Sequence, residues 1–219
     1  MPRGATSPTT RLRLPPPPRR RRSHAERRAA TRARIIDAVV DAIAELGFQR
    51  TTAQVVAARS GMTWGAVQHH FGGKEGLMLA VLEDSFNRFA ERLEDVDVEH
   101  TTLEQRAALF VARAWEHFRG RHFRSTFEIL VGYLGRAPAG GGVDWRTQMA
   151  VAWDGVWSRI FADAAADRAR NLVLQRFTIA TLSGLAETRM LAGTPAREPK
   201  AELALLRDLL ARELTHRTR

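Results

Sequence analysis

The stretch Thr51–Leu77, TTAQVVAARSGMTWGAVQHHFGGKEGL, predicts two short helices joined by a tight turn, with a third helix starting at its end. An apolar-periodic run follows the two threonines and stops before Gly61, and glycine is a common helix stop because it takes left-handed dihedral angles at little cost. Thr63 can then cap a second helix that runs from Trp64 to about Phe71. Two helices with such a turn form a helix-turn-helix, whose second helix usually enters the DNA major groove.

The residue types in this stretch favour a DNA-binding motif over an ordinary helical hairpin, although the spacing alone fits both. Bulky or hydrogen-bonding side chains crowd the short second helix, namely Trp64, Gln68, His69 and His70. Lys74 lies in the first turn of the third helix, where the helix macrodipole disfavours a cation. A lysine is well placed there if a phosphate shares the site with the free backbone N–H groups.

A series of short motifs lies in register across this region: Gly47-Phe48, Thr51-Thr52, Gly61-Met62-Thr63, Gly65-Ala66-Val67, His70-Phe71 and Lys74-Glu75-x-Leu77. With these motifs, about residues 24 to 90 resemble the DNA-binding domain of the tetracycline-repressor (TetR) family. Two positions depart from the family pattern. Gln68 stands where the family usually has a tyrosine that contacts the DNA backbone, and Gly73 stands where a serine or asparagine usually caps the next helix.

Apolar periodicity and helix stops along the chain, with no strand pattern, predict an all-α fold of about nine helices, and the resemblance agrees with this. A three-helix helix-turn-helix DNA-binding domain is expected first, followed by a C-terminal helical domain for ligand binding and dimerisation. The implied function is sequence-specific regulation of transcription by a homodimeric repressor. A small apolar or amphipathic effector would release this repressor from an inverted-repeat operator in double-stranded DNA.

The resemblance also implies which side chains contact DNA: Thr52, Thr63, Trp64, Gly65, Gln68, His69, His70 and Lys74. Thr52, Gln68 and Lys74 are expected on phosphates. Trp64 and His69, and alternatively Gln68, are expected on base edges.

The remaining expected contacts combine binding with support of the second helix. Thr63 caps that helix and its hydroxyl also reaches DNA, while Gly65 lets the backbone approach closely. His70 and Phe71 are expected to anchor the helix against its neighbours, with His70 also within reach of a phosphate.

The positive charge of the chain is concentrated at its N-terminus. The formal net charge is +10, and residues 1–34, with eleven arginines and one glutamate, account for all of it. Residues 1–22 hold four consecutive prolines and then four arginines, so we predict a disordered basic arm. The arm either lies on DNA, or is a solvated tail, or reflects a start codon placed too far upstream. An arm that binds any DNA would make the chain a non-specific binder.

Capping boxes and apolar periodicity predict the other boundaries. Ser23 and Glu26 form a capping box at the start of a helix-turn-helix domain over residues 23–72. A connector helix of more than 20 residues is expected within 73–97, followed by a ligand-binding and dimerisation domain over 98–219. The last two helices, from Leu172 to Met190 and from Leu203 to Leu214, either form the dimer interface or close the core of their own domain.

The sequence argues against an enzyme, and neither a cofactor nor a metal is expected. Cysteine is absent, which excludes disulfides and thiolate metal sites, and none of the motifs GxSxG, GK[ST] or HExxH occurs. His117 and His122 are expected at the surface or at the edge of a pocket. No apolar stretch is long enough to span a membrane, so a cytoplasmic protein with no membrane partner is expected.

Aromatic residues gather in the second domain, where most of them are expected to be packing. Some of them are candidate ligand contacts, namely Trp115, Phe118, Phe127, Tyr133 and Trp153. Arg113, His117 and Gln148 are candidate polar anchors. A helical small-molecule-binding protein with an incidental helix-turn-helix is the alternative from another functional class.

Overall fold

The computed structural model describes residues 23–133, 145–164, 167–192 and 197–215, and within these ranges the chain forms nine α-helices and one 3₁₀ turn. The elements are α1 (His24–Leu46), the 3₁₀ turn (Phe48–Arg50), α2 (Ala53–Ser60), α3 (Trp64–Phe71), α4 (Lys74–Glu91), α5 (Leu103–Phe118), α6 (Arg121–Tyr133), α7 (Trp145–Ile160), α8 (Arg168–Ala192) and α9 (Lys200–Thr215). The all-α prediction is confirmed. The predicted basic arm, residues 1–22, and the side chain of Tyr133 lie outside the described residues.

Both predicted capping boxes are present. The Ser23 hydroxyl accepts a hydrogen bond from the Glu26 N–H at 3.1 Å, while the Glu26 carboxylate accepts one from the Ser23 N–H at 2.7 Å. Thr102 and Gln105 make the same reciprocal pair at the start of α5. Each box satisfies two backbone donors that the first helical turn leaves unpaired.

The first hydrophobic core lies among the N-terminal helices. Ile35 and Val39 of α1, Val67 of α3 and Leu77 of α4 are fully buried in it. Ile129 of α6 belongs to the same cluster, although α6 follows α4 and α5 in the second half of the chain. The N-terminal helices therefore complete their core with a side chain from the second half of the chain.

The second core lies among α5, α7, α8 and α9, with apolar contributions from the end of α4 and from Phe123 of α6. Phe110 packs its ring edge-on against Trp157, with ring centroids 5.5 Å apart. Leu206, Leu210 and Leu214 of α9 are buried in this core. These leucines pack in the core of their own domain, and the dimer interface at the last two helices stays a prediction.

A buried arginine ties α5 to the end of α7. Arg106 is 2% exposed, and its guanidinium donates to both carboxylate oxygens of Asp163 at 2.7 and 2.6 Å. It also donates to the Ile160 carbonyl at 2.7 Å, which satisfies a terminal carbonyl of α7. Its hydrogen bonds hold the pKa of Asp163 below the usual range, so this pair is charged at neutral pH.

The predicted length of the connector helix was wrong. The connector helix α4 has 18 residues and ends at Glu91, rather than running for more than 20 residues. After α4 the chain forms turns, in which the Leu93 N–H donates to the Ala90 carbonyl and the Val96 N–H donates to the Leu93 carbonyl. The side chains of Leu93 and Val96 are buried there. Arg159 donates to the Leu93 carbonyl at 2.7 Å, so side-chain bonding replaces the next helical turn.

The prediction that His117 lies at the surface or a pocket edge was also wrong. His117 is 8% exposed and packs among aromatic rings, with its ring centroid 5.4 Å from that of Phe89. Burial, with smaller contributions from the charges of Arg92 and His122, lowers the pKa of His117 from its ordinary 6.5 to about 4. The imidazole is therefore a neutral core residue at physiological pH.

This pKa predicts a specific acid sensitivity of the fold. Between pH 6.5 and pH 4 the unfolded chain binds a proton at His117 that the folded chain excludes, so stability falls as the pH is lowered through this range. The full effect is about 3 kcal/mol in the free energy of unfolding. Urea unfolding at fixed protein concentration should show a flatter pH dependence for His117→Phe, while His24→Gln, at an exposed position, should match the wild type. Parallel curves for the wild type and His117→Phe would contradict this assignment.

Candidate nucleic-acid interface

Local hydrogen bonds build the helix-turn-helix as the sequence predicts. The Thr52 hydroxyl accepts from the Val55 N–H at 3.3 Å at the start of α2, and the Thr63 hydroxyl accepts from the Ala66 N–H at 3.2 Å at the start of α3. Gly61 takes a left-handed conformation with φ 65° and ψ 32° between the two helices. The turn between α2 and α3 is therefore fixed by Gly61 and the Thr63 cap, while the Thr52 cap sets the start of α2.

The short helix α3 separates a buried face from an exposed one. Val67 and Phe71 point into the first core, while Gln68 and His69 are exposed. Trp64 is partly buried and packs against the first core. Other predicted DNA contacts are exposed around the same motif, namely Thr52, Thr63, Gly65 and Lys74.

Gly65 marks a place where the backbone of α3 is open to an external partner. An added Cβ at this position would meet no atom of the described chain within 4 Å. Glycine inside a helix destabilises it by about 0.5–1 kcal/mol relative to alanine. Because no contact within the described chain requires a glycine here, close approach by a bound molecule is the physical reason that remains.

Arg32 of α1 holds the end of α3, a role that sequence reasoning missed. Its guanidinium donates to the His70 carbonyl and lies 4.3 Å from the centroid of the Phe71 ring. A cation at a helix C-terminus is favoured by the macrodipole and by the unpaired carbonyls there. Arg32 therefore positions α3, rather than being a free phosphate contact or a solvated side chain.

His70 combines anchoring with partial exposure. Its Nδ1 is buried and has no hydrogen-bond partner among the described residues. Desolvation lowers the pKa of His70, and the charges of His69, Arg28 and Arg32 add to this effect. A neutral imidazole at this position fits the prediction that His70 anchors α3.

The start of α4 lacks a side-chain cap, as the glycine at position 73 implies. Gly73 has φ 138° and makes no capping hydrogen bond, so the first N–H groups of α4 stay open. Lys74 is exposed beside them, with Nζ 5.5 Å from the centroid of the Phe48 ring. Gly76, which sequence reasoning missed, allows α4 to pass the Phe71 carbonyl, since an added Cβ would lie 2.0 Å from that oxygen.

The candidate ligand contacts lie mostly in the second core. Trp115 is buried and its Nε1 donates to Glu198 at 3.0 Å, while Phe118 is buried against Phe123. Phe127 and Trp153 are partly buried against this core. Their role in ligand binding stays a prediction.

Of the candidate polar anchors, Arg113 pairs with Asp95 and Gln148 is exposed. Within the described residues, no group of three or more His, Asp or Glu side chains is arranged to hold a metal ion. In the same part of the chain, no helix is both long and apolar enough to cross a membrane.

Residues 35–81, from the middle of α1 to the middle of α4, match the family model for bacterial regulatory proteins of the tetR family. Over these residues the chain is similar to the TetR family. The matched range contains the Thr52 and Thr63 caps, the turn between α2 and α3, and the start of α4. The exposed candidate DNA contacts lie on these features.

Curated relatives match only part of this chain. It is 28% identical over 89 residues to the fatty acid metabolism regulator protein of Bacillus subtilis, covering 41% of this chain and 46% of that protein. It is 40% identical over 53 residues to the HTH-type transcriptional regulator BetI of Klebsiella pneumoniae, covering 24% and 27%. The chain thus matches less than half the length of each of these relatives.

Solved structures show that the likeness of fold extends through the second domain. The multidrug binding protein EbrR, complexed with imidazole, superposes with a TM-score of 0.61 at 23% identity, over 93% of this chain and 98% of that one. A TetR family member from Streptomyces coelicolor superposes with a TM-score of 0.60 at 23% identity, over 85% and 99%. The predicted arrangement of an N-terminal helix-turn-helix before a C-terminal helical domain is therefore confirmed.

The open backbone at Gly65 predicts opposite effects of one methyl group on folding and on binding. Gly65→Ala should raise the free energy of unfolding by about 0.5–1 kcal/mol, because alanine favours the helix, yet it should weaken DNA binding. Gly155→Ala is the matched control, since Gly155 of α7 also has no atom within 4 Å of an added Cβ. It should stabilise the protein and leave DNA binding unchanged. Unaltered binding by a stabilised Gly65→Ala would remove Gly65 from the interface.

Proposed function

We propose that this chain is a member of the TetR family and a sequence-specific DNA-binding regulator of transcription. It would act as a homodimeric repressor that a small apolar or amphipathic molecule releases from its operator. The observation that carries the proposal is the exposed face of α3, where Gln68 and His69 flank the open backbone at Gly65. The proposed activity is binding rather than catalysis. A protein that binds operator DNA works where the DNA is, so we place it in the cytoplasm.

The charges of the helix-turn-helix favour recognition of DNA through hydrogen bonds over attraction of DNA by positive charge. Arg59 of α2 is engaged with Glu45 at 2.6 Å, and Arg32 is engaged with the end of α3. Lys74 and the open N–H groups of α4 are available to bind a phosphate. Thr52 and Thr63 lie exposed at the starts of α2 and α3, where their hydroxyls also fit phosphate contacts.

Exposed apolar side chains on α8 support a homodimer. Val173, Phe177 and Leu191 are 54%, 49% and 88% exposed, and their spacing places them near one helical stripe that also carries Ala180 and Gly184. Leu205 of α9 is 71% exposed as well. Exposed apolar patches of this kind mark interaction surfaces. A twofold dimer would present two α3 helices to successive major grooves, roughly 34 Å apart.

The proposed effector site lies among the aromatic side chains of the second domain. Phe118, Phe127 and Trp153 would line the proposed site, with Trp115 as a further member. Ring contacts such as Trp153 on Phe89, with centroids 4.2 Å apart, create an apolar environment that suits a hydrophobic ligand. The solved multidrug binding protein with the same fold was complexed with imidazole, a small aromatic molecule.

A gel-shift assay with DNA from upstream of the gene for this protein tests the proposed function. We expect specific retention that excess unrelated DNA does not displace at either of two salt concentrations. Equal competition by any DNA, lost on deletion of residues 1–22, would support a non-specific binder driven by the arm. Absence of binding at both salt concentrations would favour a ligand-binding protein with an incidental helix-turn-helix.

Gln68 should contribute to sequence discrimination. Gln68→Ala is expected to weaken operator binding by about 1–3 kcal/mol if the amide reads a base edge, since a bidentate contact contributes about that much. Gln148→Ala, at an exposed glutamine of α7, is the matched control. Affinities for the operator and for single-base variants should show that the loss is confined to one position. A uniform loss across all sequences would place Gln68 on the backbone instead.

The exposed stripe of α8 predicts the oligomeric state. Light scattering at micromolar concentration should give twice the chain mass of 24.5 kDa. Phe177→Asp should shift the protein to monomer because it places a charge in the proposed interface. Val151→Asp, at a 68% exposed valine of α7, should remain dimeric. A stable wild-type monomer would contradict the proposed interface.

A further inference from the structure

Helix α6 is built into the DNA-binding half of the molecule. Ile129 is 1% exposed within the first core. One turn earlier, the buried Ser125 hydroxyl is shared between the Arg121 carbonyl of α6 at 3.0 Å and the Val40 carbonyl of α1 at 3.3 Å, and Arg121 pairs with Asp41. Contacts along the length of α6 therefore fix its register against α1.

The same helix clamps the 3₁₀ turn that precedes the helix-turn-helix. The Phe48 N–H donates to the Glu128 carboxylate at 2.7 Å, and the other oxygen of that carboxylate accepts from Arg124 at 3.1 Å. The Phe48 ring packs on Gly132, where an added Cβ would lie 2.4 Å from the ring. Phe48 is therefore held at its backbone by Glu128 and at its ring by the glycine.

Lys74 lies against the same ring. Its ammonium is 5.5 Å from the ring centroid, a distance at which the ring attracts a cation. Lys74 opens α4 beside N–H groups that no side chain caps. The Phe48 ring therefore contacts both α6 and the proposed phosphate-binding side chain.

We propose that Glu128 and Gly132 are positioning residues for the phosphate contact of Lys74, and that they act through Phe48. In this arrangement the register of α6 sets where the ammonium lies. A displacement of α6 in the effector domain would then alter the phosphate contact directly, without requiring a change in the distance between the two α3 helices. This inference rests on the proposed function, since it assigns Lys74 to a phosphate of the bound DNA.

A methyl group at position 132 imitates such a displacement, because it must push the Phe48 ring away from α6. The test measures operator affinity of the full-length protein from low to high salt. Each lost phosphate contact flattens the slope of log affinity against log salt by about 0.9, and a twofold dimer holds two copies of Lys74. We expect Gly132→Ala to flatten the slope by about 1.8. Lys74→Gln should do the same, and the double variant should flatten it no further.

Gly155→Ala serves as the matched control, and should keep the wild-type slope. If Gly132→Ala does not fold, Phe48→Leu removes the ring with a smaller apolar side chain and should flatten the slope equally. If Gly132→Ala weakens binding but leaves the salt slope unchanged, the inference is overturned. It is also overturned if the flattening in the Gly132→Ala/Lys74→Gln double variant equals the sum of the two single variants. A wild type that retains no DNA at any salt concentration would overturn the proposed function itself.

Hydrogen exchange at the Phe48 amide tests the clamp without DNA. Glu128→Ala should accelerate exchange about tenfold or more, because the N–H loses its charged acceptor. Glu128→Gln should keep most of the protection, since the side-chain carbonyl still accepts. Equal exchange in the wild type and Glu128→Ala would overturn the role of Glu128.

Discussion

The burial of two very short helices is the constraint on which the rest of this molecule depends. α2 and α3 have eight residues each, and isolated helices of this length are marginal in water. Threonine caps and a left-handed glycine define their ends, but side chains such as Val67 and Phe71, buried in the first core, hold them in place. α1, α4 and part of α6 form the surroundings of that core, so the long helices serve as the scaffold of the short ones.

This constraint also explains how α3 keeps a free surface for a partner. Its apolar residues occupy one side, and Arg32 satisfies a terminal carbonyl from outside the helix. The opposite side is left with groups that make hydrogen bonds or give access to the backbone. Since Arg59 is paired with Glu45, the motif itself offers little free positive charge. Discrimination between DNA sequences would then depend on geometry more than on long-range attraction.

The sequence predicted those features that arise from neighbouring residues. The caps at Ser23, Thr52, Thr63 and Thr102 join residues three positions apart, so their chemistry is visible in the sequence. Arg32 and its acceptor are 38 residues apart, and Glu128 and its donor are 80 residues apart. No local pattern specifies such pairs. His117 was misplaced for the same reason, because its burial depends on rings from α4 and α6.

The placement of Ile129 has a consequence for how regulators of this fold can be recombined. The range that matches the family model ends at residue 81, yet the core of that unit includes a side chain from α6. A hybrid protein joined at the end of α4 would combine the helix-turn-helix of one protein with the α6 core residue and the Glu128–Phe48 contact of another. The exchangeable unit is therefore discontinuous, and residues 121–132 should be transferred together with the N-terminal helices whose core they complete.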